Sequence, residues 1–295
     1  MTKKTTGMLA AMIPLLTFCG LCAATSSCST RGGSDSQTTE LTTDSISCSD
    51  SLISRGARAY CSITADYPQG KTALADSVRL WIADRLSYIG YTGPSDTIPY
   101  VTPGSNLSDG KAMIRNVCST VLADAGKEFE ALDSIHAINP EFGLQYEYYW
   151  DIKKICQTET FVTYTANSYA FLGGAHGSSF SIGQTFDAAT GELIGNNMIR
   201  TEAVAKVISL IKDDLMKYFE VSTPEELRDI MLVKPEELTL PSTPLTLMDD
   251  GVHFLYQQYE IAPYVAGMPN GVIPYSKLTG CLTPAVEALI PAQAQ

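Results

Sequence analysis

The sequence predicts an α+β fold in which an antiparallel sheet packs with helices, arranged as two small α+β subdomains. Apolar residues recur at three- and four-residue steps over residues 72–89 and again after Asp109, which indicates two amphipathic helices. The period then changes to alternation over residues 144–169, which indicates strands. Because helical and extended segments are grouped rather than strictly alternating, the α+β class is favoured.

The first half of the folded region is predicted as a strand, a helix, a polar loop and a second helix. The predicted ranges are 59–67, 72–89, 93–110, and a helix after Asp109 with a break at Gly126. Alternating residues then predict strands over 144–150, 155–169 and 178–187. The later elements are a helix from Thr201, a short helix capped by Thr223, a hairpin turn at 249–251 and a strand within 271–276.

The amino terminus has the features of a secretory leader. Lys3 and Lys4 precede an apolar run over residues 8–21, and small residues follow at 23–27. This order predicts a signal peptide over residues 1–27. The apolar run is shorter than the ~20 residues that a membrane-spanning helix needs. The chain is therefore expected to act outside the cytoplasm.

Cys28 follows small residues in a pattern that resembles a bacterial lipoprotein processing site. We expect a lipid on Cys28 and an extracytoplasmic, membrane-anchored lipoprotein on the periplasmic or cell-surface side. The alternative is plain secretion, with cleavage near residues 24–26. Residues 28–50 are rich in Ser and Thr and poor in large apolar residues, so they are predicted to form a flexible tether after the anchor.

The composition restricts the partners. The net charge is −12, and no cluster of Lys and Arg interrupts the acidic surface. Nucleic acid is disfavoured because phosphate binding needs basic residues. An acidic surface suits a cationic partner through electrostatic steering, although solubility alone also explains such a charge.

The cysteine spacing defines no disulfide framework. Five cysteines follow Cys28, and none of them forms a Cys-x-x-Cys pair. They are Cys48, Cys61, Cys118, Cys156 and Cys281. Export permits disulfides, so buried free thiols with one bridge possible are predicted, and the pairing stays open.

The most distinctive segment is the glycine-rich sequence around His176, which reads Phe-Leu-Gly-Gly-Ala-His-Gly over residues 171–177. Three glycines around one histidine indicate backbone conformations open mainly to glycine, or close approach by another part of the chain. A second distinctive segment lies near the carboxyl end. It contains Tyr259 and Glu260 within Tyr-Glu-Ile-Ala-Pro-Tyr over residues 259–264.

Together these two motifs resemble the RsiV-like C-terminal domain, a domain of unknown function in exported bacterial proteins. The resemblance covers residues 160–282. The preceding helices are similar to the N-terminal domain that is paired with it in RsiV and in PdaC-type peptidoglycan deacetylases. The resemblance implies an N-terminal α+β domain over residues 51–159 and an RsiV-like C-terminal domain over residues 160–295.

RsiV is a membrane-tethered anti-sigma factor whose extracytoplasmic part binds lysozyme. The resemblance therefore implies a non-enzymatic envelope protein that binds a protein or cell-wall ligand, such as a lysozyme-like cationic protein or peptidoglycan. Only two lysines precede the apolar leader, so the anti-sigma signalling role is not expected here, and neither is deacetylase activity. The candidate binding residues are Gly173, Gly174, His176, Gly177, Tyr259 and Glu260.

The alternative function is a peptidoglycan-acting hydrolase that uses His176. Ser178 and Ser179 lie beside it, but the spacing identifies no carboxylate, and Gly-x-Ser-x-Gly does not occur. The competing interpretation is that His176 hydrogen-bonds backbone and stabilises a turn between two strands. The three histidines show no metal-ligand spacing, so no metal or other cofactor is expected.

Aromatic residues of one predicted strand are candidates for stacking on sugar rings. They are Tyr146, Tyr148, Tyr149 and Trp150. Strand alternation predicts that half of them belong to the core and half are exposed.

Overall fold

The computed structural model describes residues 40–54, 56–88, 102, 104, 106–138 and 144–291. The predicted signal peptide, the lipid-bearing Cys28 and most of the predicted loop over 93–110 lie outside these residues. Within them, no helix is both long enough and apolar enough to cross a membrane.

A six-stranded sheet organises the first half of the described chain. Its strands are β1 (Thr43–Ser54), β2 (Ala57–Pro68), β3 (Gln145–Gln157), β4 (Phe161–Phe171), β5 (Ser178–Asp187) and β6 (Leu193–Ile194). Their spatial order is the chain order from β1 to β6. Two helices, α1 (Ala73–Leu86) and α2 (Gly110–Ile138), lie in the connection between β2 and β3.

The α+β class is confirmed, with one difference in strand direction. All neighbouring pairs are antiparallel except β2 and β3, which are parallel. The physical reason is the connection: a tight hairpin reverses the chain, whereas α1 and α2 carry it back so that β3 enters in the direction of β2.

One face of this sheet is covered by α1 and α2. Every second residue of β2 points into that interface, and Cys61, Ile63 and Ala65 have no exposed surface. On α1, Trp81 packs edge-on against Tyr164 of β4 and Phe186 of β5, with ring centroids 6.3 and 6.1 Å apart. Edge-to-face packing is a favoured geometry for aromatic rings, so this cluster joins the helix to the sheet.

The two helices begin where the sequence predicts. Thr72 caps α1 by accepting a hydrogen bond from the amide of Ala75 at 3.1 Å, and the Asp109 carboxylate accepts one from the amide of Ala112 at 2.9 Å. The predicted break at Gly126 is wrong, because α2 continues through it. A Cβ at Gly126 would lie 3.0 Å from a methyl of Leu52, so glycine here permits close packing of α2 on β1.

Strand β1 corrects the predicted extent of the tether. Residues 43–50 belong to this strand rather than to flexible chain. Ile46 is buried against the helices, while Ser47 and Ser49 on the opposite face are exposed. An edge strand with serine at every second position has the composition of a linker, and its backbone pairing with β2 cannot be inferred from that composition.

The remaining elements enclose a second hydrophobic core. They are α3 (Val204–Tyr218), α4 (Pro224–Ile230), β7 (Thr246–Leu247), β8 (Gly251–Leu255), β9 (Asn270–Pro274) and α5 (Pro284–Glu287). Strands β7, β8 and β9 form an antiparallel sheet. The hairpin turn predicted at 249–251 and the cap at Thr223 are confirmed, and Glu226 completes a capping box with Thr223. The predicted domain boundary at 159/160 lies between β3 and β4, which pair in one sheet.

Candidate functional site

The second core attaches to the sheet face that α1 and α2 leave open. The Thr163 hydroxyl donates a hydrogen bond to the carbonyl of Leu247 at 2.6 Å, and the amide of Leu247 donates to the Thr185 hydroxyl at 2.9 Å. Gly183 permits this contact, since a Cβ there would lie 2.6 Å from the Thr246 methyl. Strand β7 thus covers one end of β5.

Further along β5, a side chain takes the place of a neighbouring strand. The side chain of Gln257 is buried. Its Nε2 donates a hydrogen bond to the backbone carbonyl of Ser181 at 2.6 Å, and its Oε1 accepts one from the backbone amide of Ser181 at 3.2 Å. Gln258 accepts from the amide of Ser179 at 3.3 Å. Because β6 pairs only with the far end of β5, these two glutamines satisfy backbone groups that would otherwise be unpaired.

Glu260 holds the segment that carries these glutamines. One carboxylate oxygen accepts a hydrogen bond from the amide of Gln257 at 2.7 Å, and the other accepts from the amide of Ser242 at 2.7 Å. Both oxygens of this predicted binding residue therefore bond to backbone. Its neighbour Tyr259 has a positive φ of 64° and is 56% exposed. A tyrosine with this backbone conformation is uncommon and needs support from its surroundings.

The glycines of the His176 loop serve two purposes. Gly173 and Gly174 have φ values of 86° and 91°, and a Cβ on either would meet no atom within 4 Å, so their need is conformational. Gly177 is different, because a Cβ there would lie 2.4 Å from the ring of Tyr169. A backbone conformation open mainly to glycine thus explains Gly173 and Gly174, and close approach by another part of the chain explains Gly177.

His176 is exposed and stacks on Tyr264. The ring centroids are 4.1 Å apart and the planes differ by 25°. The Tyr264 hydroxyl donates to the carbonyl of Gly177 at 3.2 Å, and the Tyr259 ring lies 5.8 Å from that of Tyr264. We call His176, Tyr264 and Tyr259 the His176 cluster. It brings the two sequence motifs together, 80 or more residues apart in the chain, on one exposed surface.

The hydrogen bonding of His176 determines what its imidazole can do. Nδ1 lies 2.9 Å from the carbonyl oxygen of Gly177, which can only accept, so Nδ1 carries the proton of this bond. In the neutral form of the ring, Nε2 is then the acceptor nitrogen. Within the described part of the chain, no carboxylate is hydrogen-bonded to His176. The backbone carbonyl of Gly177 therefore orients the ring, whereas in a catalytic triad an Asp or Glu carboxylate does so.

The open sheet face continues from the His176 cluster into a row of tyrosines. The Tyr149 ring on β3 lies 5.6 Å from that of Tyr60 on β2 and 6.0 Å from that of Tyr169 on β4. We call these three residues the tyrosine row. Of the aromatic residues proposed from the sequence, Tyr149 is exposed, whereas Tyr146, Tyr148 and Trp150 are buried. The predicted division into a buried half and an exposed half is wrong, because Tyr146, Tyr148 and Trp150 share one face of β3 and Tyr149 lies on the other. Tyr60 and Tyr169 join Tyr149 through strand pairing.

Glu147 lies at the edge of the tyrosine row. Burial raises the pKa of Tyr149 and of Tyr169, and the negative charge of Glu147 raises both further. Glu147 also accepts a hydrogen bond from the side-chain amide of Gln145.

Neither a metal site nor a disulfide is formed by the described residues. Among these residues, no group of three or more His, Cys, Asp or Glu side chains is placed to hold a metal ion. His253 instead pairs with Asp250 of the hairpin turn, with Nε2 and Oδ1 2.6 Å apart. The five cysteines of the described region are free; Cys61, Cys118 and Cys281 are buried as predicted, whereas Cys48 and Cys156 are half-buried.

Comparison with known proteins finds similarity to a family of unknown function over part of the chain. Residues 196–276 match the family described as Protein of unknown function (DUF3298). A crystal structure of a DUF3298 family member from Bacteroides fragilis NCTC 9343 aligns with a TM-score of 0.68 and 18% identity, covering 85% of this chain and 99% of that one. A DUF3298 family protein from Pseudomonas aeruginosa PAO1 aligns with a TM-score of 0.55 and 18% identity, covering 86% and 98%. No curated protein matches the chain.

These likenesses show the fold and no more. The matched region contains the segment with Tyr259 and Glu260, while the loop of His176 precedes it. The RsiV-like relationship, the pairing with an N-terminal domain and the lipid anchor remain predictions from the sequence.

Proposed function

We propose that the chain is a non-enzymatic binding module of the cell envelope, exported and anchored through a lipid on Cys28, that binds a protein or cell-wall ligand. A lysozyme-like cationic protein is the protein partner that we favour. The observation that carries the proposal is the His176 cluster, in which the exposed rings of His176 and Tyr259 flank the half-buried ring of Tyr264. Exposed aromatic side chains with a polar end are enriched where proteins meet their ligands.

The second support is the rigidity of the cluster. Tyr264 is tied to the backbone of the glycine-rich loop, and Glu260 and Gln257 fix the segment that carries Tyr259 through four hydrogen bonds. A preformed surface loses less conformational entropy on binding, so a ligand gains more net affinity from the same contacts. The side chain of Val265, which is 92% exposed, extends the apolar part of the surface.

Charge supports a cationic partner. The net charge of −12 produces a long-range attraction for a basic protein, which raises the rate of association at low salt. The attraction is screened as the ionic strength rises, since the Debye length is about 8 Å at physiological salt.

Titration with lysozyme tests the protein-binding proposal. We would use the secreted chain with Cys28→Ser, at low and moderate salt, and compare it with Tyr259→Ala. We expect saturable binding that weakens with salt and falls about tenfold in Tyr259→Ala. Leu193→Ala is the matched control, because Leu193 is also exposed but lies on β6. The absence of saturable binding at either salt concentration would remove lysozyme as the partner.

A second candidate function is peptidoglycan hydrolysis with His176 as the base. One observation favours it: the imidazole is exposed, with Nε2 as its acceptor nitrogen. Incubation with purified cell wall, followed by analysis of released fragments, decides between the two functions. Release that is lost in His176→Ala would support the hydrolase, and release that survives this change would remove His176 from the chemistry.

The anchor has its own test. Mass spectrometry of the mature amino terminus is expected to find an acylated Cys28. An unmodified terminus on either side of Cys28 would contradict the anchor and leave a secreted protein.

A further inference from the structure

The tyrosine row crosses three strands of the sheet at right angles to their direction. Tyr149 and Tyr169 are direct register partners of β3 and β4, and Tyr60 of β2 pairs with Glu147, two residues before Tyr149. The three rings therefore form a continuous aromatic strip. At its β4 end, Tyr169 packs against Gly177, which connects the strip to the His176 cluster.

Stability of the sheet does not require these rings to be open. Tyr60 is 37% exposed and Tyr149 is 38% exposed, whereas Tyr148 and Trp150, the chain neighbours of Tyr149, are buried in the core on the opposite face. Cross-strand contact accounts for the pairing of the rings with one another. Part of each ring remains accessible for contact beside the binding surface proposed above.

Neutral hydrogen-bonding groups flank the strip. Ser62 is the register partner of Tyr149, and Ser179 is the register partner of Tyr169. Ser62 also shares a hydrogen bond with Ser49 at 3.1 Å. Two residues further along β5, the Ser181 hydroxyl donates to the side-chain oxygen of Asn167 on β4 at 2.6 Å. Flat apolar ring surfaces thus alternate with hydroxyl and amide groups along one face.

We propose that the tyrosine row binds a glycan strand. The C–H faces of successive sugar rings would pack on the tyrosine rings, and the sugar hydroxyls would bond to the flanking serines and to Glu147. This inference rests on the proposed binding function and assigns the chemistry of its cell-wall ligand.

The charges on this face favour a ligand of low charge. Lys153 pairs with two carboxylates, those of Asp66 and Asp151, at nitrogen–oxygen distances of 3.5 and 3.7 Å. Arg58 lies at the end of β2, next to Tyr60 on the same face, and Glu147 lies beside the row. Arg58 and Lys153 thus share this face with Asp66, Asp151 and Glu147, which leaves one net negative charge. The face therefore disfavours a polyanion and offers little attraction to a polycation.

Calorimetric titration with a β-1,4-linked N-acetylglucosamine hexamer tests the inference on the secreted chain with Cys28→Ser. We expect saturable binding that weakens about tenfold in Tyr149→Ala, because one stacking surface is lost. Tyr149→Phe keeps the ring and is expected to bind within about twofold of the original chain. Leu80→Ala is the control, because Leu80 is 59% exposed on α1, behind the opposite face. Thermal melts confirm that each variant is folded.

Two outcomes would overturn the glycan assignment: no saturable binding of the hexamer, or equal binding by the original chain and Tyr149→Ala. An oligolysine peptide that binds in place of the hexamer, and is lost in Tyr149→Ala, would assign the row to a basic partner instead. Separate titrations keep the two proposals apart. Hexamer binding without lysozyme binding would remove the protein partner and support the inference, and the reverse would overturn the inference alone.

Discussion

The two faces of the six-stranded sheet are built from the same strands and have different compositions. On the face under α1 and α2, β3 contributes Tyr148, Trp150 and Ile152, which are almost fully buried. On the other face, the intervening Tyr149 and Asp151 are exposed. Because successive side chains of a strand point to opposite faces, alternate residues of the same strand either stabilise the core or remain available for contact.

The open face is bounded by the second core along β5. From its carboxyl end to its amino end, β5 meets Leu247, Thr246, Gln257 and Gln258. Tyr264 then contacts Gly177, directly before the strand. Strands β2, β3 and the near end of β4 lie beyond this border and carry the tyrosine row. Substitutions on the covered face, at the border and on the open face are expected to have successively smaller effects.

The largest effect is expected on the covered face. Phe186→Ala removes a fully buried ring from the cluster with Trp81 and Tyr164, and should lower the free energy of unfolding by about 3–5 kcal/mol. Tyr149→Ala removes a ring of similar size from the open face and should cost under about 1 kcal/mol. Urea denaturation measures both. Equal losses would mean that the open face is as important for stability as the covered one.

The border of the open face should show an intermediate effect. Gln257→Ala leaves the amide and carbonyl of Ser181 without their partner and should cost about 1–3 kcal/mol. Gln258→Ala loses one longer hydrogen bond, to Ser179 at 3.3 Å, and should cost less. If Gln258→Ala were the more destabilising variant in urea denaturation, Gln257 would not be the main support of this border.

Gly177→Ala tests how closely the loop approaches the tyrosine row. The added methyl would overlap the Tyr169 ring, which must move, and we expect a loss of about 1–3 kcal/mol in stability. Gly126→Ala is the matched control, because its nearest neighbour is a flexible methyl of Leu52 and alanine favours the helix. A Gly177→Ala variant as stable as the Gly126→Ala variant would contradict the contact with Tyr169.

The smallest effect is expected from pH. Because burial and then Glu147 raise the pKa values of Tyr149 and Tyr169, the folded chain favours their neutral phenols. Their contribution to stability is complete below the unfolded pKa of about 10 and is lost as the pH rises through the higher folded values.

Glu147→Gln should lower the pKa values of Tyr149 and Tyr169, since it removes the second cause of the shift. Phenolate absorbance measures the titration. Tyr67 is the internal control, because burial raises its pKa to about 12 and Glu147 does not contribute. An unchanged tyrosine titration curve in Glu147→Gln would mean that Glu147 does not interact with the tyrosine row.

Local patterns were sufficient to predict most of the elements. Helix caps, helical periodicity and tight turns each depend on a few consecutive residues, so they can be predicted from the local sequence. Examples are the caps at Thr72 and Thr223, the period of α1 and the turn before β8. The sequence does not predict β1, because the strand is stabilised by pairing with β2 and by burial of Ile46 in the core, both of which depend on distant residues.

The candidate site was predicted in part for the same reason. The two motifs identified His176 and Tyr259, and the structure brings them together through Tyr264, which the sequence had not singled out as a site residue. Tyr60 joined the site only because β2 and β3 pair in parallel, which a strand pattern does not reveal. Glu260 was expected to contact ligand, yet its oxygens bond to backbone amides.

Tyrosine nitration footprinting tests most directly whether the open face binds the ligand. The secreted chain with Cys28→Ser would be nitrated alone, with purified peptidoglycan fragments and with lysozyme, and the modified peptides quantified by mass spectrometry. We predict that Tyr60, Tyr149 and Tyr259 react in the free chain and are protected by at least one of the two ligands, while Tyr164, buried on the covered face, reacts in no sample. Equal nitration of the three exposed tyrosines with and without both ligands would contradict the account.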